Sequence, residues 1–177
     1  NYFMGDRSNQ MDDMGSYNYG TKDISYLDTI ETKTHKAVFH ISQREDALGV
    51  VNEYTGGKDI SQKLYKLDSI QLFSKEDMTV PIKTAVFEYD YSLCKGVPNN
   101  NNTSNQGKLT LKKVYFKYAL SEKGQQNPYC FRYNGFNPNY APAKMDRWGN
   151  YKGNANYFEH YTTQESDSAN HWASAWL

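Results

Sequence analysis

Glu88 and Asp90 are the residues best placed by type to do chemistry, two carboxylates two apart in Ala85-Val86-Phe87-Glu88-Tyr89-Asp90-Tyr91. Paired carboxylates are the apparatus of glycoside hydrolysis, and residues two apart on a strand share a face. Phe87, Tyr89 and Tyr91 alternate with them, however, and that alternation alone sends acids to the water side of a strand. A solvent face explains the pair without catalysis. Metal ligation fares no better. Asp6, Asp12 and Asp13 lack the glycine and alternating ligands of a calcium loop. His35 and His40 are an odd number of residues apart, which denies them a shared strand face. Glu159, His160 and His171 match no short ligand motif, and Gly56-Gly57-Lys58 lacks the first glycine and the hydroxyl residue of a phosphate loop. These residues predict a protein that is not an enzyme and carries no metal or cofactor.

Recognition is the remaining chemistry. Aromatics make up 15% of the 177 residues, and 16 of them are Tyr, which suits half-buried strand faces where the ring packs and the hydroxyl reaches water. Trp148, Tyr151 and Trp172 are the candidate ligand or partner contacts, able to stack on sugar rings or on another protein. Asp146 and Arg147, beside Trp148, are placed to satisfy local backbone groups. Acids and bases number 20 each and are spread along the chain. Nucleic acid therefore has no electrostatic reason to bind. No apolar run approaches the roughly 18 residues that cross a bilayer, so membrane insertion is not expected. Cys94 and Cys130 are too few for a disulfide framework, and their spacing leaves open whether they bridge.

The elements that must position these residues come from a repeat. Leu67-Asp68-Ser69-Ile70 precedes Ala85-Val86-Phe87, with the polar turn Ser74-Lys75-Glu76-Asp77 and Pro81 between them. Leu111-Lys112-Lys113-Val114 precedes Tyr129-Cys130-Phe131 at the same leucine-to-phenylalanine spacing of 20 residues, and Leu27-Asp28-Thr29-Ile30 precedes Ala37-Val38-Phe39 at 12. Three copies of one pattern predict three hairpin units in which Phe39, Phe87 and Phe131 are equivalent and share a core. Strand 109–118 alternates without a purely polar face, as expected for a strand that lies between two packed layers or is covered on one face by the chain that follows.

Residues 1–23 read as an irregular lead-in, 24–134 as the hairpin repeat region, and 135–177 as a strap and C-terminal segment continuing into a larger protein. Gln43-Arg44-Glu45-Asp46 is expected to open a helical turn that Gly49 ends, and Gly56-Gly57 to form a turn. The stretch 96–107, GVPNNNNTSNQG, is expected to be an exposed, mobile loop without an apolar anchor. Pro138 and Pro142 exclude a regular ladder from the aromatic-rich strap. Ser166-Asp167-Ser168 would start a short C-terminal helix with Trp172 and Trp176 on one face. The chain begins at Asn1 without an initiator Met and ends at Trp176-Leu177, as a slice of a longer protein would. The fold class is thus mainly all-β: consecutive antiparallel hairpins in an open sheet or shell segment, with a strap and a terminal helix.

The strands Leu67-Asp68-Ser69-Ile70, Val86-Phe87-Glu88-Tyr89 and Lys113-Val114-Tyr115-Phe116-Lys117-Tyr118 resemble the β-hairpins of RHS/YD-repeat proteins, most closely the SpvB/TcB-like part of insecticidal toxin complexes. Asn137-Pro138-Asn139-Tyr140, Asp146-Arg147-Trp148-Gly149-Asn150-Tyr151-Lys152 and Ala173-Ser174-Ala175-Trp176-Leu177 are similar to stretches of very large, RHS-like bacterial surface or secreted proteins. The usual G-x-x-x-x-Y-x-Y-D repeats and the aspartyl autoprotease motif of those families are missing. The resemblance implies a structural scaffold: a shell segment of an extracellular or outer-membrane-surface bacterial protein that encloses or displays a toxin or adhesive domain. Its partners would be the rest of the parent chain, or other chains joined through sheet edges. The alternative is a carbohydrate- or protein-binding β module using exposed Tyr and Trp.

Overall fold

A computed structural model describes residues 7–9, 14–15, 19–101, 107–141 and 151. The chain divides into two compact units, 1–19 with 141–177, and 20–140. In the first, β1 (Arg7–Asn9) and β2 (Met14–Gly15) pair antiparallel. The lead-in read as irregular therefore contains a ladder, too short to leave an alternating pattern in the sequence. The expected C-terminal helix and most of the strap lie outside the described residues.

The second unit is one open sheet of six strands, each antiparallel to its neighbour in the sequence: β3 (Thr29–Glu31), β4 (His35–Gln43), β5 (Tyr65–Ser74), β6 (Lys83–Leu93), β7 (Lys108–Tyr118) and β8 (Tyr129–Cys130). A 3-10 turn, Lys123–Gln126, lies between β7 and β8. The fold is mainly β, as the alternating aromatics predict.

The three sequence copies are the three hairpins, and they share one register. Ile30 faces Ala37, Ile70 faces Ala85, and Val114 faces Tyr129. Between hairpins the match continues: Phe39 faces Ile70 as Phe87 faces Val114, and His40 faces Ser69 as Glu88 faces Lys113. One residue then lacks a partner in the preceding strand, Asp68 in β5 and Lys112 in β7, after which Ile41 faces Leu67 as Tyr89 faces Leu111. This bulge falls on the same repeat position both times, and the β6–β7 joint has a second irregularity, between Asp90 and Leu93, that the β4–β5 joint lacks. Because side chains alternate with period two, a slip of one residue would exchange the faces of a whole strand. A shared register therefore means a shared pattern of faces.

Cross-strand rows show what the faces carry. Phe39, Ile70, Ala85 and Phe116 form one row, and Ala37, Leu72, Lys83 and Tyr118 form another on the same face. Lys83 lays its ammonium 3.9 Å from the centre of the Phe116 ring, so its stem covers apolar surface. The opposite face carries Val38, Gln71, Thr84 and Lys117, then His40, Ser69, Val86 and Tyr115. Among the described apolar side chains only Leu48, Val97 and Tyr115 are fully enclosed. Phe39 and Phe87 are half-buried and Phe131 is 43% exposed. The three phenylalanines are equivalent in register, but they do not share an enclosed core. Two described strands flank each of the first two, whereas Phe131 follows the edge strand β8.

Two other expectations are resolved. Of the two coverings expected for β7, the one described is by the chain that follows: Tyr115 is buried, and its hydroxyl accepts a hydrogen bond from Gln125 of the 3-10 turn at 3.0 Å. No helical turn forms at 43–46. Gln43 ends β4, and the chain reverses through Ala47, whose φ of 59° is left-handed. Gly56 and Gly57 do form a turn, with φ of 71° and 88° and the Gly56 N–H donating to the Asn52 carbonyl.

Close backbone approaches fix two glycines. A Cβ on Gly124 would overlap the Phe116 carbonyl, and one on Gly107 would overlap the carbonyls of Tyr91 and Leu93. Gly107→Ala and Gly124→Ala should each cost about 3 kcal/mol, because backbone has to move to admit the methyl group. Ala119, held at a φ of 49°, should behave oppositely, Ala119→Gly gaining about 0.5 kcal/mol or more from relieved strain. Urea unfolding monitored by circular dichroism measures all three.

Candidate functional site

The most enclosed polar construction in the described residues is built on Asp46, only 2% exposed. Arg44 grips it with two parallel hydrogen bonds, Nε to Oδ1 at 2.8 Å and Nη2 to Oδ2 at 2.7 Å. Oδ2 also accepts the Leu109 N–H at 3.0 Å, tying the end of β4 to the start of β7. Around it the Glu45 N–H donates to the Tyr91 hydroxyl at 2.9 Å, and the Asn101 N–H donates to the Glu45 carbonyl at 2.8 Å. The Leu48 N–H donates to the Asn99 carbonyl at 3.0 Å, and Lys58 Nζ donates to the Asn100 carbonyl at 2.6 Å. Asn100, fully buried, donates its side-chain amide to the Gly107 carbonyl.

This knot corrects the reading of 96–107 as a loop without an anchor. Val97 is 5% exposed, the backbones of Asn99 and Asn101 are bonded to Leu48 and Glu45, and Asn100 in turn holds Gly107. Residues 102–106 lie outside the description. Sequence reasoning missed the knot because its members, Arg44, Asp46, Asn100 and Leu109, sit in three separate stretches with no periodic relation. The Arg-x-Asp spacing was its one local signal.

Asp46 is arranged to hold charge, not to move protons. Burial raises its pKa, but the Arg44 guanidinium and the Leu109 N–H outweigh burial and hold the carboxyl below its ordinary 3.8. Arg44 is pushed up by the same pairing, against the cost of burial.

The carboxylates weighed for hydrolysis are occupied by lysines. Glu88 meets Lys113 at 3.1 Å, and Asp90 meets Lys112 at 3.5 Å while accepting both the N–H and the hydroxyl of Ser92. These are exposed cross-strand pairs, worth little individually but aligned with the register. His35 bonds Thr34 and His40 bonds Gln71, each at 2.8 Å, so the two histidines have separate partners. Among the described residues no group of three or more His, Cys, Asp or Glu is arranged to hold a metal ion. Cys94 and Cys130 are free thiols.

Of the candidate contact residues, Tyr151 is exposed, and Trp148 and Trp172 lie outside the described residues. The strap enters the description at Asn137, whose Oδ1 accepts the Cys94 N–H at 2.6 Å, and at Tyr140, whose N–H donates to the Lys95 carbonyl at 2.7 Å. Its described stretch 135–141 forms no strand, as Pro138 requires. A shallow groove of about 470 Å³ on the polar face is lined by Asp68, Gln71, Thr84, Lys117 and Glu122. Its charges are already neutralised, Asp68 by Lys66 and Glu122 by Lys117 at 2.6 Å.

No helix among the described residues is long and apolar enough to cross a membrane. The chain matches no family model, no curated protein and no solved structure.

Removing one partner of the knot leaves the other buried and unpaired. Asp46→Ala should therefore cost about 3 kcal/mol. The folded pKa of Asp46 lies below the unfolded value, so its contribution is complete above about pH 3.8 and is lost as pH falls through the folded pKa. Urea midpoints measured from pH 5 downward should fall less steeply for Asp46→Asn than for the wild type.

Proposed function

We propose that the chain is a structural scaffold module, a wall segment of a larger RHS-like extracellular bacterial protein that encloses or displays a toxin or adhesive domain. The observation that carries the scaffold reading is the repeated register. Hairpin follows hairpin with the same pairs, the same bulge position and Ile or Val at the same site. Repetition of a two-strand unit extends a surface, and its stability comes from each unit's contacts with its neighbours. The RHS-like parent and its cargo rest on the motif resemblance of 67–70, 86–89 and 113–118. Binding of a glycan or protein through exposed rings is the second reading, supported by Tyr118, Tyr129 and Tyr133, which are 56%, 64% and 45% exposed near the β7 and β8 end of the sheet.

If the unit is modular, a fourth should fit. Inserting a second copy of residues 67–110 directly after Thr110 keeps Leu67 in the place of Leu111 and makes one new junction, Thr110 to Leu67, between equivalent repeat positions. The longer chain should show increased strand signal by circular dichroism and one cooperative unfolding transition. Its urea m-value should be larger because more surface is exposed on unfolding. An inserted segment that stays protease-sensitive while the rest unfolds unchanged would contradict the modular scaffold.

A further inference from the structure

Among the described residues the sheet has two open edges, and they are the two halves of one joint. The Phe39 N–H donates to the Asp28 carbonyl and the Thr32 N–H to the His35 carbonyl, so Asp28, Ile30 and Thr32 face β4. Hydrogen-bonding direction alternates along an antiparallel strand, which turns the N–H and C=O of Thr29 and Glu31 to the outer edge. At the other end the Phe131 N–H donates to the Lys112 carbonyl, as Phe39 does to Asp28. Cys130 and Arg132 therefore turn outward. Repeat register makes these edges complementary: Cys130 corresponds to Val38 and Val86, which face Gln71 and Tyr115, and the matching residue of the first unit is Glu31. Arg132 likewise corresponds to His40 and Glu88, and its counterpart is Thr29.

We propose that β8 of one copy pairs antiparallel with β3 of a second copy of this chain, head to tail, with Cys130 opposite Glu31, Phe131 opposite Ile30, and Arg132 opposite Thr29. The joint repeats the two internal ones. The outward-facing residues of the two strands fall opposite each other, as an antiparallel ladder requires. Phe131 and Ile30, 43% and 47% exposed, meet as Phe39 meets Ile70 and Phe87 meets Val114, and those four are half-buried. Leu27 and Tyr133, also exposed, correspond to the internal pairs Ile41 with Leu67 and Tyr89 with Leu111.

Charge agrees as well. The internal joint between β6 and β7 sets Glu88 and Asp90 against Lys113 and Lys112; at the open ends Arg132, opposite Thr29, has the acid Asp28 one position away, a diagonal placement of opposite charges. Open edge strands recruit partners through main-chain hydrogen bonds. A head-to-tail contact closes into a ring or grows into a filament. The join rests on the modular scaffold reading and supplies its partner.

The test uses the full chain in sedimentation and in oxidative crosslinking. Wild type should associate with increasing concentration. Thr29→Pro removes one outward donor and leaves the β4 ladder intact; it should weaken association about tenfold or more with an unchanged circular dichroism spectrum. In a Cys94→Ala background, Glu31→Cys should form a ladder of disulfide-linked species under oxidation, joined through residues 31 and 130. Facing residues of neighbouring antiparallel strands lie within disulfide reach. Thr34→Cys, exposed at the β3–β4 turn, should not form that ladder. A wild type that stays monomeric up to its solubility limit overturns the join, and so does equal crosslinking of the two cysteine variants. A fourth inserted unit that folds beside a monomeric wild type would discard the join and keep the scaffold.

Discussion

One constraint organises the sheet: a backbone ladder whose pairs recur from hairpin to hairpin, with one extra residue at the same repeat position. Side-chain faces, exposed ion pairs and the aromatic rows all follow from where that ladder starts. Asp68 and Lys112 each absorb the extra residue, so the Leu before them still meets an apolar partner, Ile41 or Tyr89. Without those bulges Leu67 and Leu111 would be set against the wrong residues of the neighbouring strands.

The ladder alone does not fix the loops. That task falls to the buried carboxylate of Asp46, which joins the strand-exit segment 44–48 to the first residues of β7 and lies beside the buried Asn100 and Val97. The sheet itself is thin, with few side chains fully enclosed. Its stability therefore draws on half-buried aromatics, ladder hydrogen bonds and this polar knot more than on a thick apolar core. Such a construction suits a wall whose faces and edges meet other surfaces.

Much of the sheet was legible in the sequence because its signals are local and periodic. Phe87, Tyr89 and Tyr91 alternate, Ser74 to Asp77 forms a polar turn, and the leucine-to-phenylalanine spacing marks equivalent positions. The knot was not legible, since Arg44, Asp46, Asn100 and Leu109 come together only after the strands have paired. The bulges were hidden for a related reason: alternation written straight through 109–118 assigns Leu109 and Lys113 to one face, and only the partner strand reveals the extra residue at Lys112. The degree of burial was also hidden. Equivalence of Phe39, Phe87 and Phe131 follows from spacing, but their enclosure depends on what flanks each strand.

Nuclear Overhauser contacts between α-protons of facing residues test the repeated register most directly, because such protons approach closely across an antiparallel pair whose residues do not hydrogen-bond to each other. Contacts from Phe39 to Ile70 and from Phe87 to Val114 are expected in the same spectrum. Contacts displaced by one residue in either joint, such as Phe87 to Lys113 or to Tyr115, would contradict that register.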